Sequence, residues 1–150
     1  MISPEHDVRT TMTKRQQQLV KTSFRKAEHL SQIIALCFYK RLFELDPSLR
    51  QLFHTEIEAQ SKKLMQALSM IAEGMDSLPE VMPAIESLAR RHVYYGVKDE
   101  HYATVGEALL WSLDQTLGAE FTVEVRTAWA TAFYLLADVM KRAAERSSHG

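Results

Sequence analysis

The stretch Leu30-Ser31-Gln32-Ile33-Ile34-Ala35-Leu36-Cys37-Phe38-Tyr39-Lys40-Arg41-Leu42-Phe43-Glu44-Leu45 decides the fold class. It is apolar nearly all round, with no period-2 alternation that a half-buried strand would show. A helix without a clear polar face is normally buried between neighbours. Asp46-Pro47 closes it, because Asp can cap and Pro suits the first position of a new short helix, here ending near Phe53.

Working outward, Thr13-Lys14-Arg15-Gln16 has the form of a capping box and opens a first helix to about His29. Residues 1–12 are polar and without period, so a flexible extension is expected there. Beyond the polar connector His54–Glu58, a helix from about Ala59 to Asp76 carries Leu64, Leu68, Ile71, Ala72 and Met75 on one face. Ser77-Leu78-Pro79 begins another, striped by Val81, Ile85, Leu88 and His92 and stopped by Gly96. Asp99 opens a helix with Tyr102, Val105, Leu109 and Leu113 on one face, closed by Gly118. A last helix from Thr122 to about Ala144 shows Val125, Trp129, Ala132, Leu136, Val139 and Ala143. The expectation is an all-α domain over residues 13–146, followed by a flexible tail at 147–150.

Composition narrows the partners. The 150 residues suit one domain, with 46% hydrophobic residues, five Gly and four Pro. Lys and Arg number 18 against 19 Asp and Glu, for a net charge of −1, so no basic excess grips nucleic acid. No apolar run approaches the roughly 20 residues of a membrane span, and the N-terminus is not signal-like. A cytoplasmic location is expected. The single cysteine, Cys37, excludes an internal disulfide and a multi-cysteine metal site, and its apolar setting predicts an inert core thiol. There is no Gly-rich phosphate loop, no HExxH and no repeated Glu-x-x-His pair.

Three polar residues fall on apolar stripes, where an unpartnered buried atom costs about 1–3 kcal/mol. His92 continues the Val81–Ile85–Leu88 stripe. Its spacing fits a core histidine bonded to a backbone carbonyl or an axial haem ligand. Gln60 shares the face of Leu64, either as a donor over a pocket or as a wetted residue of the helix's first turn. Tyr39 needs a partner for its hydroxyl, which can be a ligand or a carbonyl; Tyr102 poses the same choice. The aromatics Phe43, Phe53, Trp111, Trp129 and Phe133 suit a core.

Taken in order, these segments resemble the bacterial single-domain globins and the haem domain of flavohaemoglobins. The carriers are Cys37-Phe38-Tyr39-Lys40-Arg41-Leu42-Phe43 with Asp46-Pro47, then Leu52-Phe53 and Gln60-Ser61-Lys62-Lys63-Leu64-Met65. Arg90-Arg91-His92-Val93-Tyr94-Tyr95-Gly96-Val97, His101-Tyr102-Ala103-Thr104-Val105-Gly106 and Ala128-Trp129 complete the set. Gln60–Leu64 and Arg90–Val97 are also similar to the Hell's gate-type globins of thermophilic bacteria.

The resemblance implies a globin fold, a three-over-three helical sandwich around haem b. By it, His92 is the iron ligand, Phe53 wedges against the haem, and Tyr39 and Gln60 bond a bound oxygen beneath Leu64. Tyr102 is the proximal-side tyrosine, Val105 packs on the haem and Arg91 meets a propionate. In flavohaemoglobins a glutamate late in the last helix joins the proximal pair. Counted from Trp129, that place is Ala144, with Glu145 one residue on. The implied function is reversible binding of oxygen, nitric oxide and carbon monoxide, with high oxygen affinity. A chain this long holds no flavin or nicotinamide domain, so nitric oxide dioxygenation would take an external reductase. A haem-based gas sensor and a haem-free helical interaction module are the rival classes.

Overall fold

The structure is a computed structural model that describes residues 12–52, 56–74, 78–94 and 97–149. Those residues form six α-helices: α1 Lys14–Glu28, α2 Ser31–Leu45, α3 Ile57–Gly74, α4 Leu78–Tyr94, α5 Asp99–Leu117 and α6 Val123–His149. Short 3-10 turns occupy Pro47–Leu52 and Gly118–Glu120, and no strand occurs among the described residues. Phe53, Gly96 and the side chain of Val81 lie outside the described residues. Among the described residues no helix is long and apolar enough to cross a membrane.

The local signals act as expected. Thr13 accepts from the Gln16 amide while the Gln16 side chain returns to the Thr13 amide, so two orphan donors of α1 are satisfied. Asp46 ends α2 and its carboxylate accepts from the Ser48 amide at 3.1 Å, starting the 3-10 turn. Gly118 closes α5 with φ +58°, a conformation that a residue with a Cβ adopts only at a cost. The last helix continues to His149, five residues beyond the expected end near Ala144.

Helices α1, α3 and α4 lie over α2, α5 and α6, with the most extensive contact between α2 and α5. The last helix crosses both α1 and α4. Trp129 of α6 is fully buried and donates to Ser23 Oγ of α1 at 2.8 Å, while Ser23 donates back to the Leu19 carbonyl at 2.7 Å. This gives both the buried indole N–H and the Ser23 hydroxyl a partner. Gly106 of α5 is equally constrained: a Cβ there would stand 2.7 Å from Phe133 Cε2 on α6. The close approach of α5 and α6 therefore needs glycine.

The reading of α2 as buried all round is corrected. Ile34, Ala35, Phe38, Tyr39 and Leu42 are buried, but Ile33 and Leu36 are 52% and 59% exposed, and Cys37 is half-buried rather than core. The helix packs chiefly on α5 and α3, and those two neighbours cover only part of its circumference. Trp111 is likewise half-buried, with the Arg41 guanidinium 5.4 Å over its ring.

Candidate functional site

Helix α4 presents His92 in its last turn. Its Nδ1 lies 2.8 Å from the Leu88 carbonyl oxygen one turn earlier. A carbonyl can only accept, so Nδ1 carries the proton and the neutral ring leaves a lone pair on Nε2. Burial holds the imidazole below its ordinary pKa, the Leu88 bond opposes this, and the nearby Arg91 charge lowers it again. The two roles weighed for His92 thus use different nitrogens. The carbonyl bond fixes the tautomer that frees the other nitrogen for a metal.

The Tyr102 ring of α5 stacks against His92 at 6.5 Å between centroids and 14° between planes. Burial, aided by the Asp99 carboxylate, pushes the Tyr102 hydroxyl up to about 12. Lys141 of α6 lies over the same ring, with Nζ 5.6 Å from the centroid. Val105, one turn after Tyr102, is half-buried against the core, and Arg91 is exposed. Ala144, at the place of the flavohaemoglobin glutamate, is half-buried, and Glu145 is exposed.

A second polar group forms where α2 meets α3. The Tyr39 hydroxyl lies 3.3 Å from both the Gln60 backbone carbonyl and Gln60 Oε1. Gln60 is only 8% exposed, which removes the wetted first-turn role. The physical reason is that α3 starts at Ile57, two residues before the expected Ala59, so Gln60 lies past its most exposed positions and meets Tyr39. Burial pushes the Tyr39 hydroxyl well above the usual tyrosine range. It stays protonated and can donate. Leu64, a turn beyond Gln60, is half-buried on the core side. Phe43 tilts over Tyr39 at 6.1 Å and carries the Arg50 guanidinium on its ring at 4.7 Å.

The structure therefore joins Tyr39 to Gln60 and His92 to Tyr102, with α3 packed on α4 between the two groups. Lys141 was missed in the sequence because its helix was read only for its apolar stripe.

Among the described residues, six helices, a half-buried histidine and a tyrosine–glutamine pair define a class, and the globin family profile matches residues 36–140. The chain belongs to the globin family. Among its relatives, the flavohemoprotein of Bordetella parapertussis is 37% identical over 125 residues, covering 81% of this chain and 31% of that protein. The flavohemoprotein of Vibrio cholerae is 30% identical over 131 residues, covering 85% and 33%. The chain thus spans about a third of the length of these curated relatives. A bacterial globin structure from Campylobacter jejuni superposes with a TM-score of 0.83 at 26% identity, covering 92% of this chain and 100% of that one. A Rhodothermus marinus protein, proposed as a nitric oxide dioxygenase and engineered as a carbene transferase, gives 0.83 at 28% identity, covering 92% and 96%.

Proposed function

We propose that this globin binds haem b through His92 and reversibly binds oxygen and other diatomic ligands, with high oxygen affinity. The observation that carries the reading is the His92 tautomer, with Nδ1 committed to Leu88 and Nε2 presented as an acceptor. Among the described residues no group of three or more His, Cys, Asp or Glu could hold a metal. A metal held by His92 alone must bring its remaining ligands with it, which is what a haem does. The haem would supply a redox-active iron with an open position for a diatomic molecule.

The chain's own residues supply the rest. Tyr39 and Gln60 provide donors for the partial negative charge on bound dioxygen, and Leu64 shields them from water. Tyr102 holds the plane of the His92 ring, Val105 packs on the cofactor, and exposed Arg91 meets a propionate. The Rhodothermus marinus neighbour proposed as a nitric oxide dioxygenase supports a further activity, nitric oxide dioxygenation, for which the haem would supply the redox-active iron. A reductase would supply the electrons for that turnover.

The test is the absorption spectrum of the chain expressed with haem supply, recorded in deoxy, oxy and carbonyl forms. The parent shows a Soret band that responds to carbon monoxide, and His92→Ala loses or shifts it. A parent with no Soret band overturns the reading and leaves the helical interaction module.

A further inference from the structure

Helix α6 places a cation, Lys141, over the Tyr102 ring that stacks on His92. The Lys141 ammonium lies over one ring whose plane is nearly parallel to the His92 imidazole. Among the described residues no carboxylate stands in salt-bridge contact with Lys141; the acid nearest in sequence, Asp138, is held by Arg142 at 2.7 Å. Asp99, at the start of α5, is the charge that raises the Tyr102 hydroxyl further. A cation over an aromatic face is attracted to the ring and also fixes it in place.

We propose that Lys141 is a positioning residue for the histidine side of the site: it holds Tyr102 against His92 and places a positive charge behind it. That charge draws electron density from the imidazole, so an iron ligated by His92 is easier to keep reduced. The reduced iron is the state that binds oxygen. This inference rests on the haem reading above.

The magnitude follows from the geometry. The two ring distances put the charge within about 12 Å of the imidazole. Lys141 is half-buried, so an effective dielectric constant of about 40, between protein surface and water, is appropriate. One unit charge then changes the reduction equilibrium about threefold, and a charge reversal about tenfold.

Lys141→Met, Lys141→Glu and Lys141→Arg are compared in the haem-loaded chain by titration against a reference dye and by resonance Raman of the ferrous form. The expected result is a threefold shift toward oxidised iron in Lys141→Met and tenfold in Lys141→Glu. The iron–histidine stretching frequency rises in the same order, and Lys141→Arg stays at the parent values. Coincident equilibria for parent and Lys141→Glu overturn the proposal. Equal shifts in Lys141→Met and Lys141→Arg overturn it too, because shape rather than charge would then matter. A parent chain that takes up no haem removes the functional reading and this inference together, whereas unshifted variants of a haem-loaded parent remove this inference alone.

Discussion

Replacing Tyr39 by Phe removes one hydroxyl and leaves the ring that packs against Phe38 and Phe43. Its single hydrogen is shared between two Gln60 acceptors at 3.3 Å, beyond the 2.5–3.0 Å range of a good O–H···O bond. Little is lost when that hydrogen turns to a ligand. A hydrogen bond to a charged acceptor is worth about 1.5–3 kcal/mol, so nearly the whole amount goes into holding a polarised oxygen molecule. Tyr39→Phe should then release oxygen about 10- to 150-fold faster. The assay is stopped-flow displacement of oxygen by excess carbon monoxide. Carbon monoxide is much less polarised, so its own dissociation rate should change far less. An unchanged oxygen dissociation rate in a normally folded Tyr39→Phe refutes the donor role, as does an equal acceleration for both gases.

Other expectations concern the scaffold and its pH range. Ser23→Ala leaves the buried Trp129 Nε1 without its acceptor and should cost about 1–3 kcal/mol in urea unfolding, with no change in the Soret band. Gly106→Ala gains helix propensity of about 1 kcal/mol but drives its Cβ into Phe133. It should be destabilising overall, by up to about 2 kcal/mol, and neutral or stabilising in a Phe133→Leu background; additive effects would refute the contact. Tyrosines ionise near pH 10 when unfolded, while both Tyr39 and Tyr102 ionise higher when folded. Their contribution is complete below pH 10 and is lost as pH rises above it, toward about 12 for Tyr102. Haem-free Tyr39→Phe should lose less stability between pH 9 and 11 than the parent, measured by urea titration at each pH.

Much of the fold was legible because its signals are local. The Thr13–Gln16 box, Asp46-Pro47 and Gly118 each satisfy or release specific backbone groups, so they mark ends without help from tertiary structure. His92, Tyr39 and Gln60 stood out as polar residues on apolar faces, and the structure gives each a polar partner. What failed to show was coverage. Ile33 and Leu36 sit on a helix whose composition suggests burial on all sides, yet coverage depends on how many neighbours reach it. Gln60 turned on a helix start displaced by two residues, an edge that weak cap chemistry at Glu56 did not mark. Lys141 depends on the packing of α6 over α5, which no local pattern encodes.

The Trp129–Ser23 bond has a spectroscopic consequence. The chain's two tryptophans sit in unlike surroundings, one sealed between α1 and α6 and one half-wetted beneath Arg41. The sealed indole should emit at short wavelength and resist quenching by iodide, while Trp111 should be quenched. Haem uptake would darken both by energy transfer. Two intrinsic fluorophores thus let folding of the empty chain and filling of the pocket be followed separately, in one cuvette and without a label.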